Sequence, residues 1–527
     1  MSELRLVPAA LAVWAASIAC VLAGTHAAVV VVALFCAGSA LLREWGQALL
    51  TAGLGAASVL AAHVRLRIAD AWDYASPLIG TVSGQPKLTA SGSWLTRIAL
   101  PGHPSTLTVF SATLDDAIVP GATVAATGAL DDNKIAGVTP VVLNGEVELV
   151  APATGYAAFA QHVRETFRAA ATARVGDASR GLIPGMVLGD TSLQTPVEQQ
   201  TYIDTGLSHL SAVSGSNVAI VTTAAVVVAT LLGLGLRVRL LAAAVALVAF
   251  AGLVGPEPSV LRASVTGLVG LVAVLASTRT EPLHALCLAV IGLVLVDTDL
   301  AVHYGFALSV AATAGIVVLH PLLYRALAAT GWPDIINRAL AVAIAADVVT
   351  MPIVALMAGQ VSLVAVAANV LVAPAVAPVT VLGLIAVILA LLPGGLEALP
   401  LFIIEPLAWW VHAVATTGAA LPLATVAAGP VAALVAYGWV MAGIVGKRPR
   451  ATAAAVTAVL CATQLHAAPP APDYSGMRAH VVATKADVDP VPPGTELVVV
   501  LEEGKPLKRP VVTQSGIPVL FPNRAGP

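Results

Sequence analysis

The chain has 527 residues, of which 58% are hydrophobic and only 10% are charged. Soluble domains carry about 25% charged residues, so this composition excludes a soluble globular protein and indicates a multi-pass membrane protein. The formal net charge of −3 does not by itself indicate a polyanionic partner.

Three apolar runs open the chain, at about residues 4–24, 27–42 and 46–64, and each is close to the length that crosses a bilayer. We therefore predict N-terminal transmembrane helices over residues 1–66. The first helix is expected to be retained, because no small-x-small cleavage site follows it and a second apolar run begins almost at once.

Residues 67–150 have a different character, with short alternating segments separated by turn residues such as Pro101-Gly102 and Asn144-Gly145. This pattern predicts a small antiparallel β domain. A five-stranded barrel of the oligonucleotide-binding (OB) type fits its size, although other small β barrels fit the pattern equally well.

The charges of this β domain argue against tight nucleic-acid binding, which depends on cations that displace counterions from phosphates. Trp94 and Phe110 could stack on bases, but they suit a core equally well. We expect weak, transient contact at most, or a purely structural role. Between residues 80 and 150 the basic residues are Lys87, Arg97 and Lys134, and the acidic ones are Asp115, Asp116, Asp131, Asp132, Glu146 and Glu148.

An amphipathic helix is predicted over residues 156–175, where Phe159, Val163 and Phe167 recur at helical spacing beside arginines. Such a helix could lie on a membrane surface or pack on the β domain.

From residue 209 to 467 the chain is almost continuously apolar, which predicts about ten further spans of roughly 20 residues. The spans are centred near residues 221, 247, 268, 290, 313, 348, 376, 410, 436 and 459. Basic residues fall on connections that share one side, which the positive-inside rule makes cytoplasmic. The β domain and the Pro-rich tail, residues 468–527, are then extracytoplasmic.

One stretch of this apolar region, residues 206–220, is unusually polar, and we call it the polar segment. It holds one imidazole, four hydroxyls, one amide and two glycines. Buried polar groups need partners, so these should face protein or a water-filled cavity. A helix beginning near Gly206 would form a polar face and a neighbouring strip. The face would carry His209, Val213, Ser216 and Asn217, and the strip would carry Ser211, Ser214, Gly215 and Val218.

Two charges lie inside predicted spans, Arg262 near the start of one and Asp347 deep in another. Ionisable residues inside a membrane are costly and are therefore candidates for function. We expect the two to form a buried ion pair, with or without transient contact between Arg262 and a passing phosphate.

Five segments resemble, in order, those of the ComEC family, the inner-membrane channels of bacterial DNA uptake. They are residues 181–190, the polar segment, the Pro-Ser-x-x-Arg-Ala element at 258–263, the Gly-Phe-x-Leu-Ser element at 305–309, and Asn369 with Pro374. The N-terminal spans and the β domain occur in the order that the resemblance implies.

The resemblance implies a channel that moves single-stranded DNA into the cytoplasm during natural transformation, across the bacterial cytoplasmic membrane. The expected partners are the DNA strand, the lipid bilayer, a DNA receptor outside and a separate ATP-driven motor, since no phosphate-binding loop of the Gly-x-x-x-x-Gly-Lys-Ser/Thr type is present. Homo-oligomerisation stays open. The predicted pathway residues are His209, Ser211, Ser214, Gly215, Ser216, Asn217, Arg262, Asp347 and Asn369.

The predicted fold is a polytopic α-helical membrane protein of about 13 spans with an inserted OB-like barrel. Residues 1–66 form the first spans and 67–150 the barrel. Residues 151–208 form an amphipathic linker helix and a pre-channel segment, and 209–467 form the channel domain. A short extracytoplasmic tail, 468–527, follows.

Many ComEC proteins end in a metallo-β-lactamase-like domain, which needs closely spaced histidines and carboxylates to hold two metals. His480 is the single histidine after residue 468. We therefore expect no nuclease activity, no other catalysis, no metal and no cofactor.

Two other classes remain open. A small-solute transporter would also show broken helices and midplane charges, although the inserted β domain argues against it. A rhomboid-like intramembrane protease would use Ser214 with a histidine base, for which His303 and His320 are the candidates.

Overall fold

A computed structural model gives the architecture of the protein. It describes residues 4–89, 92–211, 213, 215–275, 281–466, 479–482, 488, 491, 494–495, 497–501, 511–513 and 517–520. The chain divides into two compact units, Met1–Leu465 and His466–Pro527.

The first unit begins with three apolar helices that pack on one another. Buried hydroxyls join two of them, since Ser17 Oγ and Ser58 Oγ lie 2.7 Å apart. These helices are α1 (Val7–Ala23), α2 (Thr25–Leu41) and α3 (Trp45–Asp70).

A closed five-stranded barrel follows, as the alternating pattern predicts. Alternate residues of its strands are buried, and Ile98, Leu107 and Val109 form part of its core. The strands are β1 (Leu78–Val82), β2 (Lys87–Leu88), β3 (Trp94–Ala99), β4 (Thr106–Ser111), β5 (Thr123–Asp132) and β6 (Val141–Ala151).

The strand order is β1-β5-β6-β4-β3, and a pairing of β1 with β3 closes the barrel, while β2 extends the β3 edge. The β4–β6 pair is parallel and the other pairs are antiparallel. This arrangement is consistent with an OB-like barrel.

The linker after the barrel is helical and largely buried. Its helices are α4 (Gly155–Arg174), α5 (Asp177–Arg180), α6 (Leu182–Leu188) and α7 (Pro196–Asp204). Val163 and Phe167 of α4 pack with α6 in the largest core cluster. The amphipathic helix is therefore present: its buried face packs on other helices, and Ala157 near its start lies against Gly121 of the barrel. Tyr156 and Phe159 at its start remain exposed.

The remaining helices of this unit fall at the predicted positions, and each of the ten predicted span centres lies within one of them. They are α8 (Gly215–Leu231), α9 (Leu236–Val254), α10 (Pro258–Leu275), α11 (Pro282–Val296), α12 (Tyr304–Ala328), α13 (Asp334–Ala358), α14 (Ala365–Ala390), α15 (Ala398–Ala419), α16 (Pro430–Val445) and α17 (Pro449–His466).

Seven helices of the described chain are long and apolar enough to cross a membrane, namely α3, α9, α10, α12, α13, α14 and α15. Only 22–39% of the residues in their apolar windows are buried inside the protein. Most residues of these windows are therefore not buried against protein, as expected of helices that contact lipid. Five shorter apolar helices accompany them, and the count of about 13 spans stays a prediction.

The polar segment departs from the prediction, because no α-helix begins near Gly206 in the part of the segment that the structure describes. Gly206 has a positive φ of 68°, and a short 3-10 helix covers Ser208–Leu210. Helix α8 begins only at Gly215. Serine and asparagine side chains compete with helix formation by bonding to nearby backbone. The expected continuous polar face on one helix is therefore wrong.

Two small sheets complete the described structure. A ribbon of β7 (Gln360–Ser362) and β8 (Thr425–Ala427) pairs two loops of the first unit. The second unit contains a four-stranded sheet in the order β11-β12-β10-β9. Its strands are β9 (Ala479–Val482), β10 (Leu497–Val500), β11 (Val511–Val512) and β12 (Pro518–Leu520).

Candidate functional site

A large cavity of about 2130 Å³ lies between the barrel and the helices. The barrel contributes the outer face of β3 and β4 together with the loops at 83–88 and 131–137. The opposite side is formed by residues from 188–213, 254–261 and 297–307. OB barrels bind oligonucleotides on the same strand face and loops, because strands 2 and 3 of such a barrel correspond to β3 and β4 here.

The barrel side of this cavity, which we call the barrel wall, follows from strand register. Lys87, Leu95 and Phe110 are cross-strand neighbours in one row, and Arg97 and Thr108 are neighbours in the next. Side chains alternate between the two faces of a strand, so these residues point away from the barrel core. All five border the cavity, as does Trp94 at the start of β3.

Charge is unevenly distributed over the barrel. Lys87, Arg97 and Lys134, the three basic residues counted between 80 and 150, all border the cavity, whereas only Asp131 and Asp132 of the six acidic ones do. The local balance on this wall is therefore three basic residues to two acidic ones. A count over the whole domain conceals that balance, although the alternation within β3 places Arg97 on the outer face of the barrel.

The helix side of the cavity is acidic by comparison. Glu257 lies 3.9 Å from Lys87 across the cavity, and both side chains are substantially exposed. The helix side has four acidic residues and one basic one, Arg164, so a strand of nucleic acid would meet net repulsion there. The acidic residues on the helix side are Asp190, Glu257, Asp297 and Asp299.

Asp299 holds the barrel to the helices. Its carboxylate accepts a hydrogen bond from the Ser105 hydroxyl and another from the Val138 backbone N–H, the latter at 2.6 Å. Asp299 lies in a short 3-10 helix, Thr298–Val302, whose Ala301 carbonyl accepts a bond of 2.8 Å from Trp14 Nε1 of α1. Burial, together with the charge of Asp299, raises the pKa of the neighbouring Asp297.

His303 also borders the cavity, at the N-terminal cap of α12. Its Nδ1 accepts the Gly305 backbone N–H at 3.0 Å, so Nε2 carries the proton of the neutral ring. Burial lowers the pKa of His303, and the charge of Arg97 lowers it further. In this tautomer the ring has no free lone pair with which to act as a general base.

The polar segment reaches the cavity through Ser208, Ser211 and Val213. Ser211 Oγ accepts a hydrogen bond of 3.2 Å from Gln194 Nε2, and the Val213 carbonyl accepts one of 2.8 Å from Ser259 Oγ. Of the predicted pathway residues that the structure describes, Ser211 is the one that borders this cavity.

Two predicted asparagines bond instead to backbone carbonyls of the protein. Asn217 is 2% exposed, and its Nδ2 donates to the Met186 carbonyl of α6 at 2.8 Å. Asn369 Nδ2 of α14 donates to Ala365 O at 2.9 Å and to Gly206 O at 3.4 Å. The Asn217 contact fits the use of polar side chains to join membrane helices, and the Asn369 contact ties α14 to the start of the polar segment.

The expected ion pair between Arg262 and Asp347 is wrong, since the two find other partners among the described residues. Arg262 Nε donates to Ser309 Oγ of α12 at 2.8 Å, whereas Asp347 accepts from the Tyr437 hydroxyl of α16 at 2.7 Å. Both residues are buried. Helix α12 supplies the group that satisfies Arg262, which sequence spacing alone does not reveal.

The other predicted pathway residues are placed as follows. His209 is exposed, and its Nδ1 lies 3.1 Å from the Gly206 carbonyl oxygen. Gly215 packs tightly, because a Cβ there would lie 3.1 Å from Arg262 Nη2. Ser214 and the side chain of Ser216 lie outside the described residues.

Among the residues that the structure describes, no cluster of three or more His, Cys, Asp or Glu side chains could hold a metal ion.

Apolar outward-facing helices and an inserted OB-like barrel define a multi-pass membrane protein. Comparison with protein families matches residues 186–450 to the competence protein family, and this region is half of the chain. The chain therefore belongs to the ComEC family of competence proteins. No C-terminal lactamase domain is detected. Neither the comparison with curated proteins nor that with solved structures gives a match.

Proposed function

We propose that this protein conducts single-stranded DNA inward across the bacterial cytoplasmic membrane during natural transformation. The family match supports a role in DNA uptake. The proposal that the protein conducts a single DNA strand rests on the barrel wall. Basic and aromatic side chains of this wall border a cavity of about 2130 Å³, together with serines of the polar segment.

The chemistry of the barrel wall suits an unpaired strand. Lys87 and Arg97 would attract the phosphate backbone, and Phe110 presents a ring on which a base can stack. Stacking tolerates any base, because every base has a π face, so sequence preference is not required. Thr106 and Thr108 add hydroxyls that donate without a charge.

The acidic residues on the helix side of the cavity would limit how tightly the strand is held. A strand bound only to cations would dissociate slowly, whereas carboxylates on the facing wall raise its free energy in the cavity. Ser208 and Ser211, where the cavity meets the polar segment, would then contact the strand through neutral hydroxyls.

In this proposal, the buried polar residues of the helices stabilise the channel without lining the large cavity. Asn217 joins α8 to α6, Arg262 joins α10 to α12, and Asp347 joins α13 to α16. Asn369 of α14 donates to the Gly206 carbonyl of the polar segment. In this proposal they shape the route rather than line its entrance, while His209 and Ser211 stay candidates for contact with the strand.

The proposal includes no catalytic step, no metal and no cofactor. Movement of the strand would be driven by a separate cytoplasmic ATP-dependent motor, with a DNA receptor delivering the strand from outside, since the chain lacks a phosphate-binding loop for ATP. Homo-oligomerisation is compatible with this scheme.

Uptake of labelled DNA tests the proposal in a strain that lacks the gene and is complemented with wild type, Arg97→Gln or Arg174→Gln. Arg174 makes a matched control, because it is exposed on α4 and lies outside the cavity lining. Entry should vanish on deletion, return with wild type and Arg174→Gln, and return only weakly with Arg97→Gln. Unchanged entry in the deletion strain would overturn the proposal and favour a small-solute transporter.

A further inference from the structure

A second, smaller cavity of about 290 Å³ lies where the barrel meets α4 and the end of α9. It shares part of its lining with the large cavity, including Ser83, Gln85 and Arg164. A ligand in the large cavity could therefore place one group in the smaller one, which we call the seam cavity.

Arg164 is the single charged residue that lines the seam cavity among those described. It is 4% exposed, and its guanidinium donates to the Leu253 carbonyl. No carboxylate forms an ion pair with it in the described chain. Asp190, whose charge acts on Arg164, is bonded instead by Arg168 Nε at 3.0 Å and by the Ser192 N–H at 3.0 Å.

A buried cation without a paired anion is costly, because desolvation is not offset by a matching charge. Burial accordingly lowers the pKa of Arg164. The other arginines of α4 are not in this position, since Arg168 is paired and Arg174 is exposed.

Gln85 provides a second unmatched donor. Its Nε2 is buried and has no hydrogen-bond partner among the described residues, although buried amides are nearly always bonded. Gln85 belongs to the barrel loop at 83–88, where Gly84 takes a positive φ of 80°. The seam cavity thus combines a cation and a free amide donor, with no Asp or Glu in its described lining.

We propose that the seam cavity is a phosphate-binding subsite, in which Arg164 and Gln85 hold one backbone phosphate of the strand that occupies the large cavity. The subsite rests on the proposed function. Guanidinium groups match phosphate oxygens in paired hydrogen bonds, and an amide N–H adds a further donor. A bound phosphate would also supply the anion that Arg164 lacks.

The test measures the affinity of the full-length protein in lipid nanodiscs for a fluorescent oligothymidylate over a range of salt concentrations. The variants are Arg164→Gln, Gln85→Glu and the matched control Arg174→Gln. Each phosphate contact on a single strand contributes about 0.7 to the slope of log affinity against log salt. Arg164→Gln should therefore reduce the slope by about 0.7, and Arg174→Gln should leave it unchanged.

Gln85→Glu keeps the test informative if Arg164→Gln fails to fold. This change is made on a barrel loop, and it places a carboxylate in the same cavity as Arg164, where it would compete with phosphate. A slope reduced as in Arg164→Gln supports the subsite. If the salt-dependence slopes of Arg164→Gln and Gln85→Glu both equal that of Arg174→Gln, the phosphate subsite is overturned, although the protein still binds DNA.

Two further outcomes separate the possible failures. If wild type does not bind the oligonucleotide at all, the proposed function fails first. If inorganic phosphate alone binds through Arg164 in a calorimetric titration but the oligonucleotide slope is unchanged, the seam cavity takes free phosphate or a lipid headgroup, and the assignment to the DNA backbone is overturned.

Discussion

The barrel wall and the buried polar residues of the helices use similar side chains in opposite ways. On the barrel, Lys87, Arg97 and Phe110 border the large cavity. Within the helices, Asn217, Arg262 and Asp347 are buried and bonded to neighbouring helices.

The difference shows that polarity within an apolar chain does not by itself mark a passage. A helix in lipid has no water to satisfy a stray amide or guanidinium, so such groups first serve packing. The groups most available to a ligand are instead those that strand alternation turns toward a cavity. Three substitutions test this contrast.

Asn217→Ala tests the buried side of the contrast, and its effect should be as large as any of the three. The Met186 carbonyl would lose its buried donor, which should lower the free energy of unfolding by about 1–3 kcal/mol. Thermal unfolding of the detergent-solubilised protein would measure the change. Thr222→Ala is a suitable control, because the Thr222 hydroxyl bonds only to carbonyls of its own helix among the contacts described. Wild-type stability combined with lost DNA entry would instead make Asn217 a lining residue.

Phe110→Ala tests the other side of the contrast. Loss of a stacked base should weaken oligonucleotide binding by about 1–3 kcal/mol, or roughly 5- to 150-fold. Fluorescence anisotropy with full-length protein would measure it. Leu130→Ala is the control, since Leu130 is an exposed apolar residue of the barrel outside the cavity lining. Equal affinities for the two variants would exclude stacking on Phe110.

The smallest effect is expected from Asp299→Asn, which tests the attachment of the barrel wall to the helices. The amide keeps one acceptor oxygen but loses the charge that strengthens the bonds from Ser105 and Val138, a loss of about 1 kcal/mol. Hydrogen exchange should accelerate at Val138, while Asp115→Asn, also on the barrel, should leave it unchanged. Protection equal to wild type at Val138 would show that other contacts hold the barrel.

Much of the fold follows from the sequence, because long apolar runs and strict alternation are local signals. Both the barrel and a helix at each predicted span centre could be predicted in this way. The start of α8 could not be predicted, because Gly206 and the serines after it favour a turn and a 3-10 helix over continued α-helix.

The candidate site was harder to predict from the sequence, because the hydrogen-bond partners of its side chains come from distant parts of the chain. Spacing cannot show that Ser309 lies beside Arg262, or that Tyr437 rather than Arg262 reaches Asp347. The barrel wall could have been found from alternation, since Leu95 and Arg97 share a face of β3. Gln85 and Arg164 could not, because they are far apart in the chain and meet only in the folded protein.

The ribbon of β7 and β8 has a mechanical consequence. It joins the turn between α13 and α14 to the turn between α15 and α16, and two flanking bonds extend it, from Leu363 N–H to Ala424 O at 2.8 Å and from Ala428 N–H to Gly359 O at 3.0 Å. Sliding one turn past the other would break these hydrogen bonds. We therefore expect α13, α14, α15 and α16 to move together as one rigid unit.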